Sequence, residues 1–173
     1  MPREPRILLS QSYYHVMTRG NNKMRVFHDA EDYQRYRDLI ARFKADRSFD
    51  LFHYTLMPNH THFLVRTKAA HDFATFMKQL ELAYFHAYRR RHGWTGHLWQ
   101  GRYKTQPVGK DAYFLQCGKY VELNAPRAGL VADPTDWRWT SYHHYAAARR
   151  DELITDDPFY EGLGVSVKAR QAA

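Results

Sequence analysis

The chain has 173 residues, 44% of them apolar, which suits one domain with a real core and leaves room for a short arm or tail. No run of eighteen apolar residues occurs, which excludes a membrane-spanning helix, and a single cysteine, Cys117, excludes an internal disulfide. Lysine and arginine number 26 against 18 acids, a formal +8, and aromatics reach 16%; this suits nucleic acid, since cations neutralise phosphates and rings stack on unpaired bases, although solubility and core packing account for the same numbers. The first residues, "MPREPRILLSQSYY", hold only three consecutive apolar positions, too few for a signal peptide, and the reducing cytoplasm is the expected compartment.

Residues 12–20, "SYYHVMTRG", are β-branched and aromatic and run into a Gly-Asn-Asn turn, so they predict a strand and a polar loop. Residues 29–48 open on Asp29 as a cap and place Tyr33, Tyr36, Ile40 and Phe43 at helical spacing. "LFHYTLM" (51–57) and "HTHFLVRT" (60–67) predict a hairpin around Pro58-Asn59. Residues 70–94 predict the longest helix, with Phe73, Phe76, Met77, Leu80, Tyr84 and Tyr88 as its apolar stripe. Arg89, Arg90 and Arg91 fall in its last turn as a solvated end that suits the dipole, and Gly93 ends it. "HLWQGRYKTQPV" (97–108) is extended, with a bend at Gly101. Residues 111–124 predict a helix capped by Asp111 and stopped by Pro126. Gly118 inside it costs about 1 kcal/mol, which marks a close approach of backbone or nucleic acid. Beyond Leu130 the pattern is irregular, with one short helix near 141–149. The order β-α-β-β-α-β followed by a helix predicts an α+β fold, a split βαβ sheet with helices on one face.

In "MPNHTHFLV" (57–65), His60 and His62 stand one residue apart on a strand, so both leave the same face. Eleven histidines in this length make roughly 0.7 such pairs expected by chance, so the bare spacing carries almost no weight. Context adds more. Thr61, Phe63 and Val65 form an apolar opposite face, which leaves the imidazoles on the open side of the sheet. There they are either ligands for a divalent ion or two solvated polar residues. In "CGKYVELN", Tyr120 and Asn124 are four residues apart and share a helix face. An amide oxygen can ligate a hard ion, and a phenol beside a cation can act as a nucleophile. The plainer readings are a core tyrosine and an asparagine closing its helix; Glu122 is expected on a solvated face.

Taken together, "HVMTRGNNK", "MPNHTHFLV", "WQGRYK" and "YVELNAPRAGL", in that order within residues 12–145, resemble the single-tyrosine HUH transposases, and more closely the REP-associated tyrosine transposases of bacteria. The resemblance implies an RRM-like, ferredoxin-like antiparallel sheet plus a catalytic helix. It implies a catalytic domain over residues 1–130 and a tail, 131–173, packed on or near the active site. By the same resemblance Tyr120 is the nucleophile, and His60, His62 and Asn124 hold Mg2+ or Mn2+. Thr61 replaces the bulkier residue usual between the histidines, and Asn124 stands where the mobile-element branch often has Gln. The implied reaction nicks and rejoins single-stranded DNA beside a hairpin through a 5′-phosphotyrosine link.

For DNA contacts, Arg19, Asn21, Asn22 and Lys23 form a loop suited to base edges and phosphates. Arg102 and Lys104 are expected to hold backbone, and Trp99 to stack a base. The resemblance further implies a monomer, with a dimer as the alternative, in the nucleoid-associated cytoplasm and away from membranes. Two other readings stand beside it. One is a non-catalytic relative that only holds hairpins. The other is a relaxase or replication initiator with a second tyrosine, for which Tyr113, two helical turns before Tyr120, is the candidate.

Overall fold

Strands β1 (Ser12–Arg19), β2 (Phe49–Met57), β3 (His60–Thr67) and β4 (Lys104–Pro107) form one antiparallel sheet in the order β2-β3-β1-β4. The computed structural model describes residues 8–109, 112–164 and 166–172. Helix α1 (Ala30–Lys44) connects β1 to β2, and α2 (Ala70–His92) connects β3 to β4. This is the expected α+β architecture, and its strand order follows from two split βαβ crossovers.

Alternation along the strands sends Tyr14, Val16, Leu51, Tyr54, Leu56, Phe63 and Val65 to one face, where they bury against Tyr36, Ile40, Phe73, Phe76, Leu80 and Tyr84. Each such large side chain contributes about 1.5–3 kcal/mol by leaving water. Asp29 caps α1 by accepting from the backbone N–H groups of Glu31 and Asp32. Gly93 closes α2 in the left-handed region at φ 62°. Of the three arginines expected to face solvent, Arg91 instead pairs with Asp29 and Asp32, tying the end of α2 to the start of α1.

The other face is not open, as expected for the histidines, but partly roofed by α3 (Ala112–Glu122). Phe114 anchors that helix against Phe52, Leu64 and Tyr13. A bulge in β2 between Leu51 and His53 lets Phe52 and His53 both reach it. Asp111, the expected cap, lies outside the described residues. Pro126 does not stop the helix: α3 ends at Glu122, and Pro126 sits inside a further turn, α4 (Asn124–Arg127). A proline in a first turn removes no intrahelical hydrogen bond.

β2 is an edge strand, yet all nine residues are buried. The chain after α4 explains this. Leu56 donates its N–H to the Trp139 carbonyl at 2.8 Å, Ser141 donates to the Tyr54 carbonyl at 2.9 Å, and Thr155 donates to the Leu51 carbonyl at 2.8 Å. The late segment thereby satisfies an edge that would otherwise present bare backbone groups. The helix expected near 141–149 is α5 (Tyr142–Ala146), and α6 (Val167–Ala172) is the last element. Among the described residues, no helix is long and apolar enough to cross a membrane.

Candidate active site and nucleic-acid interface

With Thr61, Phe63 and Val65 turned to the α1 and α2 side, His60 and His62 face α3. His62 is 3% exposed, and His60 is half-buried beside the Pro58-Asn59 turn. Asn59 Nδ2 donates to the Lys23 carbonyl at 3.0 Å, which leaves Asn59 Oδ1 to accept from His60 Nδ1 at 2.6 Å. His60 therefore carries its proton on Nδ1 and keeps a lone pair on Nε2. On the same face of β1 stands His15, whose Nε2 lies 2.8 Å from His62 Nδ1.

α3 presents Tyr120 to these imidazoles. Its ring stands edge-on to His15 and His62, with centroids 5.8 and 5.9 Å away, and the residue is 42% exposed. The Arg127 guanidinium carbon lies 5.5 Å over the ring, a cation–π contact that helps fix its orientation. Asn124 opens α4, and its side chain lies beside His60. The helix break at Leu123 does not part Asn124 from Tyr120, because the Leu123 N–H still bonds the Lys119 carbonyl at 3.0 Å. His15, His60, His62, Tyr120 and Asn124, five side chains from four elements, thus meet on one face.

Burial sets their charge. It drives the His62 pKa down to about 2, with repulsion from His60, His15 and Arg19 adding to it. His60 falls to about 4 through burial and then Arg19, with the Asn124 contact opposing. Burial also lowers His15. All three imidazoles are neutral near neutral pH, the form that ligates a cation.

The loop residues chosen for DNA contact gather at the same end of the sheet. Arg19 is paired in register with His60 across β1 and β3, and its Nε is buried with no hydrogen-bond partner among the described residues. Asn21, Asn22 and Lys23 form an exposed 3-10 turn after it, fastened by Asn21 N–H to the Leu98 carbonyl at 2.7 Å. Lys104 lies opposite Met17, and a small cavity of about 20 Å³ is lined by Arg19, Gly101, Arg102 and Lys104. Trp99 lies apart. Its half-buried indole packs toward Tyr36 and Tyr84 and donates to the Glu81 carbonyl at 3.0 Å. Rather than offering an open ring, it anchors the segment that carries Arg102 to α2.

Residues 8–124 match the family described as "Transposase IS200 like". The chain belongs to the IS200-like transposase family. It is similar to a REP-associated tyrosine transposase of Escherichia coli, with 22% identity over 116 residues that cover 66% of this chain and 67% of the relative. It is also similar to a solved structure of a REP-associated tyrosine transposase bound to a REP hairpin, at 19% identity and a TM-score of 0.71, covering 92% of this chain and 93% of that one. A likeness at that identity speaks for the fold.

This IS200-like transposase holds residues around its site that the motifs did not reveal. Asn59 and His15 hold the two histidines. Glu122, expected in solvent, is buried: its Oε1 lies 2.8 Å from His53 Nδ1 and accepts from Ser141 Oγ at 2.7 Å. His53 Nε2 lies 3.0 Å from Asp157 Oδ2. The buried trio Glu122, His53 and Asp157 joins α3, β2 and the late segment. The one signal in the sequence was Gly118, which leaves room for the His53 ring.

A divalent cation fits the donors present. The Nε2 lone pair of His60 is left free by the bond to Asn59, His62 has Nε2 beyond its bond to His15, and Asn124 supplies an amide oxygen beside His60. Among the described residues, no three His, Cys, Asp or Glu side chains gather to hold a metal ion. Two neutral nitrogens and an oxygen, with further positions left for phosphate oxygens, suit Mg2+ or Mn2+.

Proposed function

We propose that this transposase nicks and rejoins single-stranded DNA beside a hairpin, with Tyr120 as nucleophile. The observation that carries the reading is the meeting of Tyr120 with His62, His60 and Asn124 on one face of the sheet. All four come from one chain, which supports a monomer as the catalytic unit. The likeness to a transposase solved with a REP hairpin supports hairpin DNA as the partner.

Tyr120 Oη attacks phosphorus in line with the departing 3′ oxygen. A bond forms from Oη to phosphorus, the bond from phosphorus to O3′ breaks, the phenol loses its proton and the 3′ oxygen gains one. The products are a 5′-phosphotyrosine and a free 3′-hydroxyl, and the ester energy is kept for rejoining. His60, His62 and Asn124 would hold Mg2+ or Mn2+, whose charge offsets that building on the phosphate oxygens. Arg19 offers a guanidinium donor beside His60 for the same phosphate, and Lys23, Arg102 and Lys104 track the backbone on either side. Asn21 and Asn22 stand exposed where they can reach base edges.

The test is a single-stranded hairpin oligonucleotide labelled 3′ of the cut, incubated with Mn2+ and resolved under denaturing conditions. The expected product is a covalent protein–DNA band, absent for Tyr120→Phe, which still binds the hairpin. Hairpin binding with no adduct from the native chain would favour a non-catalytic binding module instead.

A further inference from the structure

Only one proton fits between His15 Nε2 and His62 Nδ1, and its owner decides what His62 can do. The nitrogens are 2.8 Å apart, the rings lie within 17° of parallel, and the centroids are 4.9 Å apart. The centroid separation exceeds the nitrogen separation by about two ring radii. That is the geometry of two imidazoles lying edge to edge in nearly one plane, sharing a hydrogen bond along their lone-pair directions. Two neutral arrangements are available. If His15 donates, His62 carries its proton on Nε2. That N–H would then sit on a residue only 3% exposed, where His62 Nε2 makes no hydrogen bond among the described residues and little water can reach it. If His62 donates, His15 carries its own proton on Nδ1, and half-buried His15 can pass that donor to solvent. The second arrangement leaves no stranded donor.

The geometry points to His15 as a positioning residue that holds His62 as the Nδ1–H tautomer and aims its Nε2 lone pair into the space beside Tyr120. Asn59 does the same for His60 from the hairpin turn. One strand residue and one turn residue therefore set both imidazoles as ligands before any cation arrives, and the site need not be reorganised on binding. His15 is not itself a ligand through Nε2, because that lone pair is occupied by His62. The contact of the Tyr120 ring edge-on to both His15 and His62 keeps the three rings in fixed relation. The consequence for metal binding rests on the ligand set proposed above, whereas the tautomer does not.

The test has two readings. In the metal-free protein with 15N-labelled histidine, long-range 1H–15N spectra are expected to show His62 with a protonated Nδ1 and a bare Nε2, and His15 with a bare Nε2. The reverse pattern overturns the inference. Mn2+ affinity, read from the free-ion electron paramagnetic resonance signal, is expected to weaken about 10- to 100-fold in His15→Leu. It should recover to within a few-fold of native in His15→Gln, whose Oε1 can accept from His62 Nδ1. Equal affinity of the Leu variant and the native chain also overturns it. Should the Leu variant fail to fold, the native spectrum decides alone. A native chain with the expected tautomer that binds no Mn2+ would uphold the role of His15 and overturn the proposed ligand set.

Discussion

A β-carbon on residue 118 would lie 2.8 Å from His53 Nε2 and 3.0 Å from two ring carbons, so Gly118 is where α3 presses onto that imidazole. The ring cannot step aside easily, being held by Glu122 on one nitrogen and Asp157 on the other. Gly118→Ala gains about 1 kcal/mol in helix propensity. It loses about 1–3 kcal/mol to overpacking. A lower urea midpoint is expected, and cleavage should fall with it, because Tyr120 lies two residues further along the same helix. An unchanged or higher midpoint would show that the imidazole yields.

The charge of His53 gives a pH window. Burial alone would push its pKa down, but Glu122 and Asp157 outweigh it and hold the imidazolium up to about 9, against 6.5 for a free histidine. A base whose pKa is raised by folding stabilises fully below its unfolded value and loses that contribution as pH rises through the folded one. The difference in urea midpoint between the native chain and His53→Gln should therefore be greatest below pH 6.5 and shrink on approach to pH 9. A difference that stays flat across this window would mean that His53 is neutral between its two carboxylates.

The late segment bears on the division of the chain at Leu130. Cutting there removes the carbonyl of Trp139 and the N–H of Ser141 from the β2 edge, and Asp157 from His53. A bare edge follows, and buried His53 keeps Glu122 on one nitrogen but loses its partner on the other. The shortened chain is expected to melt lower and to self-associate on size-exclusion chromatography. If it instead melts like the full chain and stays monodisperse, residues 131–173 are an appendage with no part in the fold.

The sheet and its two long helices were legible because each repeats one period over many residues. Tyr33, Tyr36 and Ile40 mark a helix face, and Thr61, Phe63 and Val65 mark a strand face. Tyr120 and Asn124 could be paired because four residues is close to one helical turn, and the pairing outlasts the break at Leu123. Contacts between segments distant in the chain left no such trace. His15 meets His62 across 47 positions, and His53 meets Asp157 across 104. No local pattern encodes either distance. Glu122 misled for a related reason: its helix position suits solvent until the bulge in β2 turns His53 beneath it.

Arg19 offers a measurable electrostatic prediction. Its side chain lies beside His60 with a buried Nε that has no hydrogen-bond partner among the described residues, where a phosphate oxygen would complete it. Arg19→Ala should weaken hairpin binding about tenfold at low salt. It should also flatten the dependence of log affinity on log salt by about one phosphate contact, a slope change of roughly 0.7–0.9. Weaker binding with an unchanged slope would assign Arg19 to base contact or folding.

The last prediction separates one nucleophile from two. Tyr113 precedes Tyr120 by two turns, or about 10 Å along α3. It is 74% exposed, whereas Tyr120 stands against His15 and His62. A phosphate seated beside His60, His62 and Asn124 would be reached by the nearer hydroxyl alone. Tyr113→Phe should therefore keep adduct formation within about twofold, while Tyr120→Phe should lower it by at least about a thousandfold. The two substitutions delete the same oxygen from the same helix, so any stability effect of losing a hydroxyl is controlled within the pair. Loss of adduct in Tyr113→Phe, with hairpin affinity intact, would put a second hydroxyl into the reaction and move this chain toward the two-tyrosine mechanism.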